Sequence, residues 1–590
     1  MSDIIRLLPD AIANQIAAGE VIQRPASIVK ELMENAIDAG ADDIQVIVRD
    51  AGKALIQVVD NGMGMSPPDA RMAFERHATS KIRTAQDLFA IRSMGFRGEA
   101  LASIAAVAQV ELRTRRSDDQ VGTRVVIEGS EVKTQEACQH PPGTSISVKN
   151  LFFNVPARRK FLKTNPVEFR HLLDEFMRIA LANADLAFAL HHNDSEIYRL
   201  VKGNLRQRIV QVLGKKYNEH LVPVDEETNY VRITGFVGKP DIARKTRGDQ
   251  YLFVNHRFIK SPYLNHAVRN AFEEMIAPDH HPLYILFLDI DPGKIDINVH
   301  PTKQEIKFED ERLIYNYLRV SVRHALGKYS VTPSLDFDQE QAFERAGTPA
   351  RQLATPQEAL ERQNMQHWER LFDGMKPADA VTQTVTLQSD AFPAESAVPA
   401  EADARTNVPY QLHNTLLVSQ IKSGILLVDQ QAAHERILYE RNLHALKEQA
   451  PHTQQSLFPI TIEFNPAEAA MFRELLPDLK ILGFEIEEFG GETFVVQGAP
   501  VQLEGQSEEQ VLRTMLAQYQ QDLQITAEAK ERVAKAMSLS MAIPRGKAIP
   551  PAERQLLIDM LFACENPYTS PSGRKCFVML ELDELMKRFM

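Results

Sequence analysis

Glu31, Asn35 and Asp38 lie within KELMENAIDAG at i, i+4 and i+7, a spacing that sets all three on one face of a helix. A carboxylate and an amide one turn apart suit metal-assisted hydrolysis. Asn35 can offer a carbonyl oxygen to Mg2+, a hard cation that prefers oxygen ligands, and Glu31 can orient and deprotonate a water. Taken alone, the same pattern also describes an ordinary solvated helix face. The next blocks separate the two readings. VVDNGMGM follows, with Asp60 at a strand end, where it can accept a hydrogen bond from a donor such as an adenine amino group. Gly62 and Gly64 permit a close backbone approach that a Cβ would block. ERHATSKI comes next, then SMGFRGEALASI, in which the Gly95 and Gly98 backbone can form a nest of N–H groups around phosphates just before a helix N-terminus. Gly143-Thr144 follows within HPPGTSISV.

The elements that must hold these groups are legible around them. Ile28, Val29, Leu32, Met33, Ala36 and Ile37 form an apolar stripe opposite the polar face, which predicts a helix over 26–37. Pro25 marks its start and Gly40 its stop. Ile44, Val46 and Val48 alternate as a strand, and Ala54 to Val59 runs mostly apolar as a second. Helical and strand patterns alternate in this way to about residue 330. Between about 334 and 407 the chain is rich in Ala, Pro, Gln, Glu and Asp with no sustained period, a composition that cannot bury enough apolar surface to offset chain entropy. A mobile linker is expected there. Its Trp368 fits either a short docking helix or a transient cluster. Order resumes near Pro409, with a hairpin expected over 415–428, an amphipathic helix over 432–448, and mixed α/β structure to the end.

Composition narrows the class. The 590 residues carry 67 Lys and Arg against 79 Asp and Glu, a net charge of −12, so any nucleic-acid contact must be made by local basic patches. The longest apolar run, Leu283 to Leu288, falls far short of the ~20 residues a membrane helix needs. No secretory signal is visible, and three cysteines, Cys138, Cys564 and Cys576, suit a reducing cytoplasm.

At the quoted blocks the chain resembles the GHKL ATPases and, among them, the MutL mismatch-repair family. The resemblance rests on Asn14 to Ala41, VVDNGMGM, RHATSKI, GFRGEALASI, NVPARRKFL (Asn154 to Leu162) and NVHPTKQEIKF (Asn298 to Phe308), and it covers about residues 5–330. It implies an α/β (α+β) multidomain protein: a GHKL-type ATPase sandwich over 1–205, a second α/β subdomain of ribosomal-S5-like type over 206–331, a linker over 332–407, and a C-terminal α/β dimerisation domain over 408–590. The implied cofactors are ATP and Mg2+. Glu31 would be the general base, Asn35 the Mg2+ ligand, Asp60 the adenine acceptor with Thr144 in support, and Gly62 and Gly64 part of the same pocket. Thr79, Ser80, Gly95, Phe96, Arg97 and Gly98 would belong to the lid and phosphate cradle, and Lys303 would reach the γ-phosphate from the second subdomain.

The family binds double-stranded DNA. Here Arg158, Arg159 and Lys160, with Lys163, cluster after a loop, and Lys239, Arg244, Lys245 and Arg247 form a second basic run. Arg257 in FVNHRF matches the family segment that lines the DNA groove. Contacts of this kind would be sequence-independent and salt-sensitive.

In the C-terminal region VDQQAAHERILYE resembles the endonuclease metal motif of many MutL proteins. Asp429, Glu435 and Glu440 match, but Gln431 stands where the family has His, and glutamine is the weaker ligand. Leu539, Asn566 and Tyr568 stand where other ligands belong. Efficient metal-dependent nicking is therefore not expected. The alternative keeps Zn2+ or Mn2+ on Asp429, Glu435 and Glu440 and lets the domain nick DNA. Gln454, Leu457 and Pro459, in QQSLFP, resemble the pattern MutL proteins present to the sliding clamp, although a loop-to-strand junction accounts for them equally well.

The whole implies a cytoplasmic, homodimeric mismatch-repair matchmaker. It would couple a MutS-type mismatch sensor to downstream factors, among them a sliding clamp, a helicase and a separate nicking endonuclease. A flexible linker of some 70 residues has an r.m.s. reach of roughly 45 Å, enough to let two N-terminal regions close while the C-terminal domains stay joined. A scaffold that does not use nucleotide is the contrasting reading, and it needs none of Glu31, Asn35, Asp60, Gly95, Gly98 and Lys303.

Overall fold

The computed structural model describes residues 18–19, 21–81, 94–95, 98–245, 248–273, 275–296, 306–330, 408–448, 453–503, 507–522 and 529–587. The expected linker, with Trp368, lies outside the described residues. By contacts the chain divides into one unit made of residues 1–330 and 407–590 and another made of 331–406.

The helix expected at 26–37 is α1, Pro25–Asp38. Pro25 opens it, as a residue whose missing N–H costs nothing at a first turn. It closes with the Gly40 N–H donating to the Ile37 carbonyl and the Ala41 N–H to the Ala36 carbonyl, the paired bonds that satisfy carbonyls at a helix end. Its apolar stripe packs on a sheet whose strands are β1 (Asp43–Arg49), β2 (Leu55–Asp60), β3 (Gln109–Arg115), β4 (Gly122–Glu128), β5 (Glu131–Cys138), β6 (Gly143–Lys149), β7 (Ala187–His192) and β8 (Ser195–Leu200), in the order β5-β4-β3-β6-β2-β1-β7-β8. Ile44, Val46 and Val48 of β1 and Ile56 and Val58 of β2 are buried beneath α1 and join one core with Leu32 and Met33. Each such side chain contributes roughly 1.5–3 kcal/mol of burial. Further helices are α2 (Pro67–Met72), α3 (Ala100–Val107), α4 (Pro156–Phe161), α5 (Asn165–Ala182) and α6 (Leu205–Leu213). α5 lies beside α1 and buries Leu172, Leu173 and Phe176 in the same core.

Strand register brings three polar residues into line across this sheet. β2 lies between β1 and β6, and β6 pairs with β3, so Asp60 stands opposite Thr144 and Thr144 opposite Thr114.

The second sheet comprises β9 (Leu221–Glu227), β10 (Val231–Gly238), β11 (Gln250–Val254), β12 (Arg257–Phe258) and β13 (Tyr284–Ile290), ordered β12-β11-β13-β10-β9. Both of its faces are covered. Leu252, Val254, Leu286 and Leu288 point to helices α7 (Pro262–Ala271) and α8 (Glu311–Ser330). Their alternates Tyr251, Phe253, Ile285 and Phe287 join the core of the first domain, with Phe253 and Phe287 stacked at 4.6 Å. The boundary expected at 205/206 falls at the start of α6. Ile209, Val212 and Leu213 of that helix belong to the first core, and the second core begins at Val222.

After 408 the expected hairpin is present as β14 (Leu416–Ile421) and β15 (Gly424–Asp429), and the expected helix as α9 (Gln430–Glu448). A further strand, β16 (Phe577–Glu581), pairs with β15, and helices α10 (Ala529–Met541) and α11 (Pro551–Phe562) pack on α9. Another antiparallel sheet contains Thr453–Glu463, Thr493–Pro500 and Glu485–Glu488.

Candidate active site

The polar face of α1 carries Glu31, Asn35 and Asp38, and the structure assembles the later motif blocks over it. Met94 and Gly95 donate their N–H groups to the two Asp38 oxygens, at 2.9 and 3.0 Å. The Lys81 ammonium bridges Asp38 Oδ2 at 2.6 Å and Asn35 Oδ1 at 3.1 Å. Blocks far apart in sequence are joined directly: the His77 N–H donates to the Gly98 carbonyl. Gly98 has φ +62°, and a Cβ there would meet the Ala78 carbonyl oxygen at 2.5 Å, so the junction requires glycine. Thr79 and Ser80 are exposed, and the Thr79 hydroxyl accepts from the Lys81 N–H at 3.2 Å. Phe96, Arg97 and Lys303 lie outside the described residues.

Asparagine and aspartate oxygens that already hold an ammonium form a donor set suited to a cation. The residues present therefore fit Mg2+ at Asn35. Glu31 is mostly covered and has the Lys30 ammonium 3.4 Å away, with Glu34 on the other side of Lys30 at 3.3 Å. Burial works against the Lys30 charge, but Glu34, Glu31 and Glu175 hold its pKa above the usual lysine range.

A second polar group is built from three neighbouring strands. Asp60 accepts from the Gly62 N–H at 2.9 Å. Burial pushes its carboxyl up to about 6, against the lowering effect of the Gly62 and Thr144 amides. Thr144 is 4% exposed, and its hydroxyl is 3.1 Å from that of Thr114, which accepts from the Met65 N–H. Gly64 has φ +66°, and a Cβ there would lie 2.1 Å from the Arg115 carbonyl oxygen. Asp38, Lys81 and Thr114 are thus part of the site although the motifs assigned them no role. Asp38 was visible as the third residue on the α1 face. Thr114 depends on strand register, which local sequence does not carry.

The described basic residues differ in exposure and partners. Arg159 and Lys160 are exposed on α4, while Arg158 is half-buried against Gly19. In the second run Arg244 is tied to Asp249 at 3.5 Å. Arg257 is 8% exposed and donates to the Met94 carbonyl at 3.2 Å, so it sits in the interior beside the nucleotide site rather than along an open groove.

In the C-terminal region each carboxylate of the metal motif has a protein partner. Asp429 pairs with Arg545 at 3.0 Å. Glu435, fully buried, pairs with Arg574 and accepts from Ser572 Oγ at 2.8 Å. Glu440 accepts the Glu565 and Asn566 N–H groups and pairs with Arg436 at 3.0 Å. Gln431 faces Arg574. His434 turns away, its Nδ1 accepting from the Ile543 N–H, and burial lowers its pKa to about 4. Burial raises the Cys564 and Cys576 thiols to about 11. Among the described residues no group of three or more His, Cys, Asp or Glu is arranged to hold a metal. In the clamp-like segment Gln454, Leu457 and Pro459 lie within the strand Thr453–Glu463, where pairing shifts register between Gln455 and Ile460. Phe458 there is 82% exposed.

Among the described residues no helix is long and apolar enough to cross a membrane. Residues 23–154 match the family described as histidine kinase-, DNA gyrase B-, and HSP90-like ATPase. Residues 209–327 match the DNA mismatch repair protein, C-terminal domain, and residues 410–549 the MutL C terminal dimerisation domain. The DNA mismatch repair protein MutL of Christiangramia forsetii is 45% identical, with 100% of each chain covered. Those of Flavobacterium psychrophilum and Phocaeicola vulgatus are 44% and 43% identical, again with 100% of each chain covered. Likeness that runs through both chains from end to end, together with an ATPase family match over the α1 site, leads to one assignment: the chain belongs to the MutL family of DNA mismatch repair proteins.

Proposed function

We propose that the chain is a mismatch-repair matchmaker in which Mg2+-dependent ATP hydrolysis at the α1 site drives closure of two N-terminal regions. The observation that carries this reading is the convergence of Glu31, Asn35, Asp38, Lys81 and Gly95 on one helix face, with the Asp60–Thr144 pair at neighbouring strand ends. Asn35 would hold Mg2+, which when bound neutralises charge on phosphate oxygens. Glu31 accepts a proton from water, the water oxygen bonds to the γ-phosphorus, and the bond to the bridging oxygen breaks to leave ADP and phosphate. Asp60 accepts from the adenine amino group. Lys303 supplies positive charge from the second subdomain, which makes that subdomain's position nucleotide-dependent.

Exposed Arg159 and Lys160 carry phosphate contact with duplex DNA. The homodimer pairs through the edge of the C-terminal sheet, where Val578 and Met579 of β16 and Leu556 and Phe562 of α11 are exposed. Its partners are a MutS-type sensor and, through exposed Gln454, Phe458 and Pro459, a sliding clamp; a helicase and a separate nicking endonuclease act downstream. The arginine-paired carboxylates support a structural role for Asp429, Glu435 and Glu440, with incision left to the partner.

The test is Glu31→Ala in the full-length chain, with turnover and nucleotide binding measured together. Loss of turnover with retained binding is expected. Retained turnover removes Glu31 from the role of general base, and a wild-type chain that neither binds nor turns over ATP returns the scaffold reading. Plasmid nicking with Mn2+ in the same tubes, abolished by Asp429→Asn, would establish the endonuclease alternative.

A further inference from the structure

Arg257 belongs to the second subdomain, on the edge strand β12, yet its guanidinium reaches the first domain. Its Nη2 donates to the Met94 carbonyl at 3.2 Å. The Met94 N–H donates to Asp38 Oδ1 at 2.9 Å, and the following Gly95 N–H to Asp38 Oδ2 at 3.0 Å. The residue that opens the phosphate-cradle segment is thus gripped from two sides, by α1 and by the second subdomain. The strand that carries Arg257 is itself anchored: the Arg178 guanidinium of α5 lies 4.3 Å from the centre of the Phe258 ring.

Arg257 also shares one small cavity with Lys30, Glu34, Met94, Glu175 and Arg178. Lys30 is the cation beside Glu31. Alternating charges in a mostly buried site act on one another far more strongly than exposed groups do. A shift of Arg257 therefore reaches both the cradle peptide and the charge environment of Glu31. A guanidinium 8% exposed and engaged in this way is poorly placed to meet a DNA phosphate.

We propose that Arg257 is a positioning residue for ATP hydrolysis, coupling the placement of the second subdomain to the Met94–Gly95 peptide over α1. The inference rests on the ATPase reading and adds to it a route by which the second subdomain sets turnover, separate from Lys303.

The experiment compares the full-length wild type with Arg257→Met and Arg257→Lys for Mg-ATP turnover, duplex DNA affinity over a salt series, and thermal unfolding. A charged hydrogen bond lost at a positioning contact predicts a kcat about tenfold lower for Arg257→Met, with KM changed less than about threefold. The salt slope of DNA binding stays at the wild-type value, any fall in unfolding temperature leaves the chain folded at the assay temperature, and Arg257→Lys recovers most of kcat. Arg257→Gln serves the same comparison where the methionine variant does not fold. Wild-type kcat in the methionine or glutamine variant overturns the proposal. So does a kcat loss that merely follows a fall in unfolding temperature and that lysine does not rescue. Intact turnover with a salt slope reduced by about one overturns it in favour of DNA contact. A wild-type chain with no turnover removes the ATPase reading first, and this inference with it.

Discussion

Asp60 is a carboxyl whose charge changes close to the working pH. Its folded pKa of about 6 lies above the ordinary value of 3.8, so folding favours the protonated form. That contribution is complete below about 3.8, and it is lost as pH rises through about 6. The proposed adenine contact has the opposite demand, because the charged carboxylate is the stronger acceptor. ATP affinity should fall as pH drops below about 6, while affinity for an analogue lacking the N6 amino group should not, in titrations with fluorescent nucleotide. Asp60→Asn should weaken ATP binding and raise the unfolding temperature of the nucleotide-free chain by about 2–4 °C at neutral pH, a gain that vanishes near pH 4. In the C-terminal region, chelators should leave the unfolding temperature unchanged. Arg574→Met should cost about 3–5 kcal/mol, because it strands the buried Glu435 carboxylate. The shared face of Glu31, Asn35 and Asp38 was legible because helical spacing fixes it locally, whereas the roles expected of Glu31, Asn35 and Asp60 came from the resemblance. The motif around Arg257 shows its charge and not its depth. Only the packing of β12 against α5 reveals that depth.

At the scale of elements, helix α1 and the 415–428 hairpin were readable nearly to the residue, since each is fixed by its own periodicity and stop signals. The register shift in Thr453–Glu463 was not, because it is a mismatch with a partner strand and has no signature in one strand alone. Gly98→Ala forces a side chain onto the Ala78 carbonyl at a left-handed position. It should sharply lower turnover while DNA affinity stays within about twofold, because the change breaks the junction with His77 and not the basic helix α4. Met579→Glu places a charge on the exposed edge strand β16 and should shift the dimer toward monomer in sedimentation, leaving ATPase turnover per chain within about twofold.

At the scale of the molecule, the governing feature is the second sheet, whose alternate residues belong to two cores. Helix–strand alternation was enough to read α/β structure up to about residue 330, and its division into two regions was implied only by the resemblance. That they share a sheet was not readable, because near-continuous apolar runs such as Leu283 to Leu288 show burial on both faces without naming what covers each. Phe287→Ala should therefore destabilise both regions together, by about 3–5 kcal/mol, read as equal losses of hydrogen-exchange protection in β1–β2 and β10–β13. A similar truncation on the other face, Leu286→Ala, should act first on α7 and α8. The shared sheet also bears on how such chains can be recombined. A crossover between two relatives at residue 222 would join strands from one parent to an aromatic lining from the other, and Phe253 and Phe287 would meet a core they were not matched to. Productive exchanges should instead fall within 331–407, so that the first 330 residues pass between lineages, and between engineered chimaeras, as one heritable block.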